Sequence, residues 1–256
     1  MFAMNNTFTI RGSEMKTSAI AGVAAIATTL GLILSGCGSD TKTTEGSAKT
    51  SAAESSEEST SESAPETTKP KVAPRDEVTE GSGPNETIAS YIQENGIQET
   101  PVQRGDPGSP TIDLPFPDGW EDAGADTPEW AYGAIVYTGP EAAEYTPSIV
   151  AIVSKLTGNV DPQRIIDLAG GELQNLPDYE GWNEGAVSTL GEYPAFQLGG
   201  TWIQDGLTKI VAQKTVVIPG ADGLYVLQLN ADGTEDQADI VGAATDIIDS
   251  ETVITP

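Results

Sequence analysis

The sequence predicts an α+β fold, an antiparallel β-sheet flanked by helices. Three observations carry this reading. Along residues 85–256 the apolar periodicity switches in the order helix, strands, helix, strands, helix, which favours a sheet with helices packed against it. Two β-rich runs, "YPAFQLGGTWIQ" and "LTKIVAQKTVVIP", flank Asp205-Gly206, a two-residue hairpin signal. Finally, "TEDQADIVGAATDIID" sets Thr234 and Gln237 at capping-box spacing and then stacks Ile240, Val241, Ala244, Ile247 and Ile248 on one helical side.

The elements follow in chain order. "NETIASYIQENG" offers Asn85 as a helix cap, Ile88 and Ile92 one turn apart, and Gly96 as a stop, so a short amphipathic helix is expected. In "TIDLPFPDGW" the side chains of Ile112, Leu114 and Phe116 alternate onto one face, while Pro115 lacks a ladder amide, which predicts an edge strand. "EWAYGAIVYTG" and "SIVAIVSKL" are β-rich, and the second is apolar at both parities, as a central strand covered on both faces requires. "NVDPQRIIDLAGGELQNL" returns to helical period. Asp161 caps it, Pro162 occupies the first turn, and the helix is expected to reach about Asn175, although Gly170 and Gly171 weaken it. In the strand from Leu207 to Pro219, Ile210, Ala212, Val216 and Ile218 share a face and Lys209, Gln213 and Thr215 make the other more polar. "DGLYVLQLN" supplies a further strand, and "NADG" reads as a corner from strand to helix.

The N-terminal third has another character. "MKTSAIAGVAAIATTLGLIL" has a basic start at Lys16 and an apolar core from Ala19 to Leu34, the form of an export signal; Met15 gives a more compact start than Met1. The core is shorter than the roughly 20 apolar residues of a membrane span and no basic stop-transfer segment follows it. Leu34, Ser35, Gly36 and Cys37 match the lipobox of bacterial lipoprotein precursors, in which the cysteine thiol takes a diacylglyceryl group and becomes the new N-terminus. The competing reading is an ordinary export signal cleaved further on. Residues 1–36 thus read as leader and signal, and 37–84 as the lipidated cysteine with a Ser/Thr/Glu-rich tether. That tether holds too little apolar surface to offset its ordering entropy, and its hydroxyls also suit glycosylation. Residues 85–256 are long enough for one domain with its own core.

Charge and missing chemistry narrow the function. The domain carries 28 Asp and Glu against 5 Lys and Arg, a formal charge of −23. Such a surface repels phosphate backbones, so nucleic acid is excluded, and a domain of that sign is held off anionic lipid, leaving Cys37 as the anchor. The acidity serves solubility or a cationic partner. The chain has no histidine, which removes the usual general base and imidazole ligand, and its single cysteine is committed to the anchor. No P-loop, dinucleotide fingerprint or nucleophile elbow is present, and no cofactor or metal is expected. "DPGSPTID" and "NADGTEDQAD" hold oxygen ligands around glycine but lack EF-hand spacing, and carboxylate pairs are too abundant here to single one out. The four tryptophans, Trp120, Trp130, Trp182 and Trp202, read as core and sheet-edge packing or as an apolar groove; Trp120 and Trp182 each follow glycine in a loop ("PDGW", "YEGW") and are the aromatic candidates for a contact surface.

"DLPFPDGWEDAGADTPEWAYGAIVYTGP", "YTPSIVAIVSKLTGNVDP" and "LQNLPDYEG" together resemble the LpqN/LpqT family of lipoproteins of mycobacteria and related actinobacteria, over roughly residues 85–251. The order of Trp120, Trp130, Asn159, Asp161 and Pro162 carries the likeness. The resemblance implies a fold similar to the Mog1/PsbP sandwich and a lipid-anchored protein on the outer face of the cell membrane or further out in the envelope. It implies no catalytic residues. Two functions then compete: a non-catalytic interaction module in envelope assembly or transport, and a carrier of an apolar or glycolipid ligand. A cavity inside the fold would favour the carrier, and an aromatic patch over a filled core the module.

Overall fold

A computed structural model describes residue 72 and residues 83–256. The elements are α1 (Ile88–Glu94), β1 (Gln98–Pro101), β2 (Thr111–Asp113), β3 (Trp120–Asp122), β4 (Gly133–Tyr137), β5 (Ser148–Thr157), α2 (Pro162–Leu168), α3 (Gly171–Gln174), β6 (Glu180–Gly181), β7 (Ala186–Leu190), β8 (Tyr193–Gln204), β9 (Leu207–Pro219), β10 (Leu224–Thr234), α4 (Ala238–Glu251) and β11 (Val253–Thr255). One antiparallel sheet runs β3-β4-β5-β10-β9-β8-β6, with β1 also on β5 and β7 also on β8; β2 and β11 form a separate ladder. This is the α+β sandwich the sequence predicts.

The four long strands β5, β10, β9 and β8 are its base. Residues on alternate sides of a strand face opposite layers, and here both sides are apolar. Val216 and Ile218 of β9, Leu227 of β10 and Ile149 of β5 join Val241, Ala244 and Ile248 of α4 in one core. Val217 and Val226 face the other way and meet Tyr91 and Ile92 of α1 with Ile165 and Ile166 of α2. Leu198, Trp202 and Val211 extend that second layer beneath Leu173 of α3. Lys209, Gln213 and Thr215 do form the more polar side of β9, but that side lies under this second layer, and all three are buried.

Several expected boundaries move for identifiable reasons. The cap of α1 is Thr87, not Asn85: Ser90 N–H donates to Thr87 Oγ1 (3.1 Å) and Thr87 N–H to Ser90 Oγ (2.9 Å). Asn85 instead pairs with Asn175, its N–H and Nδ2 each donating to Asn175 Oδ1 at 3.0 Å while Asn175 Nδ2 donates to Asn85 O at 2.9 Å. The helix after Asp161 is capped as expected, by Gln163 N–H donating to Asp161 Oδ1 (2.9 Å), with Pro162 in its first turn. It does not run unbroken to Asn175. It stops at Leu168 and resumes at Gly171, where the backbone of residues 86–87 passes so close that a Cβ would overlap the Glu86 carbonyl oxygen. The segment 111–113 is an edge strand as expected, but of a separate two-stranded ladder and not of the main sheet. It pairs with β11, Ile112 opposite Ile254, and Phe116 beyond Pro115 turns outward although Ile112 and Leu114 are buried.

Other features match or extend the expectation. Gln204 pairs with Leu207 across Asp205 (φ 53°) and Gly206 (φ 77°), a two-residue turn with both residues left-handed. "NADG" is not a corner: Asn230, Asp232 and Gly233 lie inside β10 opposite Gln213, Val211 and Ile210, and the corner falls after Thr234. The polar residues belong there because each has a partner on the covered face. The capping box of Thr234 and Gln237 is present, with Thr234 N–H donating to Gln237 Oε1 at 3.0 Å. Trp120 requires the main correction. It is 5% exposed, sits on β3 opposite Tyr137 with ring centroids 5.8 Å apart, and belongs to the first core. The turn at Pro117–Gly119, closed by Trp120 N–H donating to Pro117 O (2.9 Å), enters β3 at once and aims the ring inward.

Two stability outcomes follow from this packing. Gly171→Ala is expected to destabilise the chain by about 1–3 kcal/mol, because the entry segment has to shift, as read by urea unfolding. Trp120→Ala is expected to cost about 3–5 kcal/mol, whereas Trp182→Ala costs about 1 kcal/mol or less; equal losses in the same assay would contradict the burial assigned to Trp120.

Candidate functional site

The residues read as a lipobox, Leu34, Ser35 and Gly36 with Cys37, lie outside the described residues, so the geometry concerns the domain. Among the predicted contact residues, Trp120 is interior and Trp182 is 38% exposed. Trp182 follows β6 and is held by its N–H donating to Gly199 O of β8 at 3.0 Å. Val187 of β7, Ile203 of β8 and Leu207 at the start of β9 are also exposed. Trp182, Val187 and Ile203 lie on or beside β6, β7 and β8 at one end of the strand order, and Leu207 opens the neighbouring β9; the register puts Val187, opposite Phe196, and Leu207, opposite Gln204, on one face of the sheet and Ile203 on the other. Trp120 and Trp182 are not brought together: one lies under β3 at one end of the strand order and the other beside β6 at the opposite end. Phe116, Trp130 and Val253 are exposed elsewhere.

Two polar clusters lie beneath the surface, and sequence reading missed both as sites. Under α4, Lys214 Nζ donates to Asp249 Oδ2 at 2.6 Å beside a crevice of about 30 Å³. Ala212, Leu229, Ala231 and Ile248 make its apolar lining, and Gln197, Lys214, Thr245 and Asp249 its polar part. Burial pushes the Asp249 carboxyl up, while the Lys214 charge and hydrogen bond pull it down. Asp246, one turn back, is raised by burial and then by the charge of Asp249. A space of that size suits a water molecule or a methyl group, not an acyl chain.

The second cluster lies on the other face. Lys209, 4% exposed, donates to Gln204 Oε1 at 2.7 Å and stands 3.3 Å from Asp232 Oδ1. Its ammonium lies 4.7 Å from the Tyr145 ring centroid and 5.4 Å from that of Trp202, while the Tyr145 hydroxyl donates to Asp232. Further along, Gln213 Nε2 donates to Asn230 Oδ1 (2.9 Å) and Glu172 Oε2 (3.2 Å). Each buried ammonium is therefore matched by a carboxylate, which a buried charge requires. Such pairing fixes strands against helices. The signal available in the sequence was that two of the domain's five cations fall within one strand whose other positions are largely apolar. Among the described residues, no group of three or more His, Cys, Asp or Glu could hold a metal ion. Among them, too, no helix is long and apolar enough to cross a membrane.

Comparison with known proteins completes this picture. A family model described as "Probable lipoprotein LpqN" matches residues 84–255. Lipoprotein LpqN of Mycobacterium tuberculosis (strain H37Rv) is 51% identical over 177 residues, covering 69% of this chain and 77% of the relative. A crystal structure of LpqN, described as involved in cell envelope biogenesis of Mycobacterium tuberculosis, is 52% identical and superposes with a TM-score of 0.65, over 68% of this chain and 100% of that one. The family match spans nearly all of residues 83–256 and the relative is 51% identical, so the chain belongs to the LpqN lipoprotein family.

Proposed function

We propose that this chain is a lipid-anchored, extracytoplasmic interaction module of the cell envelope, and that its domain acts by binding a partner without turning over a substrate. In this reading residues 1–36 are removed as leader and signal. Cys37 carries the lipid, residues up to 84 tether the domain, and residues 85–256 make the contact. The relative's described involvement in envelope biogenesis supports the setting. The observation that carries the binding reading is the set of exposed apolar side chains, Trp182, Val187, Ile203 and Leu207, toward the β6–β8 end of the strand order. Aromatic and aliphatic anchors at a rigid strand edge are common sources of interface affinity. Strand β7 adds an outer ladder edge next to Val187.

The second reading, a carrier of an apolar or glycolipid ligand, has one observation in its favour. The crevice under α4 combines an apolar lining with Lys214, Asp249, Gln197 and Thr245. Its volume of about 30 Å³ would have to grow about tenfold to admit a ligand, since small-molecule sites are typically about 300 Å³ or more. The module is therefore the better-supported function.

Two experiments test the proposal. Cys37→Ser is expected to leave the domain folded by circular dichroism but to abolish incorporation of an alkynyl fatty acid and stable membrane attachment, since durable anchoring takes more than one acyl chain; undiminished label would refute the anchor. Trp182→Asp combined with Ile203→Asp is expected to weaken capture of the envelope partner by about tenfold or more while melting stays within a few degrees. Unchanged capture by the folded variant would move the contact surface away from β6–β8.

A further inference from the structure

Val72, thirteen residues before Asn85, is half-buried and packs against an apolar cup formed by Ala123, Ala131, Ala134, Val136 and Val150, with Ile152 at its side. This cup lies at the β3–β4 end of the sheet, away from the exposed apolar set at β6–β8. Its lining is mostly alanine and valine, so it accommodates one small branched side chain. Around it the chain reads "EDAGADTPEWA", placing Glu121, Asp122, Asp126 and Glu129 in one eleven-residue stretch without a cation. Glu121, Asp122 and Glu129 are exposed, as is Trp130 at 52%. The sequence around Val72 has the opposite composition: in "KPKVAPR", Lys69, Lys71 and Arg75 flank the valine within seven residues, in a chain whose net charge is −27.

We propose that the β3–β4 cup is a docking site for an extended segment in which a small apolar residue is flanked by cations, and that residues 69–75 of this chain are its resident occupant. Val72 supplies the apolar anchor, its packing removing about one valine side chain from water. Lys71 and its neighbours supply charge complementarity to the acidic rim, which steers docking and weakens with salt. Pro70 and Pro74 favour an extended backbone on either side, lowering the entropy lost on docking. A partner bearing the same pattern competes for the cup and releases the tether. This site is independent of the β6–β8 surface, and its test does not depend on the envelope partner.

The test is tryptic cleavage of the full chain in detergent, with each bond's rate divided by that of a matched synthetic peptide. The Lys71–Val72 bond is expected to be cut about tenfold slower than Lys49–Thr50 in the same tether, because cleavage needs the docked segment to open. Val72→Ser, or Glu121→Gln with Asp122→Asn and Glu129→Gln on the exposed rim, is expected to remove most of that protection without lowering the melting temperature. Equal rates at the two bonds in the wild type would overturn the proposal, as would protection that survives both variants. Protection that fades on dilution would assign the occupant to a second copy and overturn docking within one chain.

Discussion

The structure depends on a block of four long strands whose side chains are largely apolar on both sides. β5, β10, β9 and β8 cannot leave either face to water. One face is closed by α4, the other by α1, α2 and α3. Each closure then demands close fits. The Gly171 backbone admits residues 86–87, and the Cβ of a residue replacing Gly233 would stand 3.0 Å from Val241 Cγ2. The first fit explains why a helix with good capping chemistry is cut in two. The second explains a glycine inside a strand that otherwise reads as a turn.

Covering both faces also buries polar groups, and their pairing accounts for much of the chain's unusual use of cations. In a domain with so few, two lie in β9 and both are buried against carboxylates, Lys209 with Asp232 and Lys214 with Asp249. Replacing one member of such a pair leaves a buried charge unmatched, which costs far more than losing a surface pair. Most of the remaining acidic residues are exposed, and Glu121, Asp122 and Glu129 give the β3–β4 rim its sign. In the proposed module, binding falls to the apolar side chains that packing leaves exposed.

Regular periodicity was legible from sequence, and close approach was not. The hairpin at Asp205-Gly206, the capping box at Thr234 and Gln237, and the two-sided apolar pattern of β5 each rest on a few neighbouring residues, so they survive without tertiary knowledge. The cap of α1 was misplaced because Asn85 and Thr87 are equally good local candidates, and the choice between them is made by Asn175, ninety residues away. Trp120 looked like a loop residue because its three-residue strand is too short to show alternation, and its burial comes from pairing with β4. The partner of β2 was not legible for a similar reason: it is a three-residue strand with no periodicity of its own. On the candidate surface, Trp182 was legible as an aromatic after glycine, but Val187, Ile203 and Leu207 were not, because exposure of a strand residue depends on what ends the sheet beside it.

A binding module and a ligand carrier bury different parts of this molecule, so the most direct measurement is hydrogen–deuterium exchange of the full chain with and without envelope extract. Slowed exchange concentrated at residues 180–190 and at the 203–207 hairpin, with α4 unchanged, is expected for a module that binds through the β6–β8 end of the sheet. Slowed exchange around Thr245–Asp249 and the facing part of β9, with the sheet end unchanged, would contradict it and place the ligand in the crevice beneath α4.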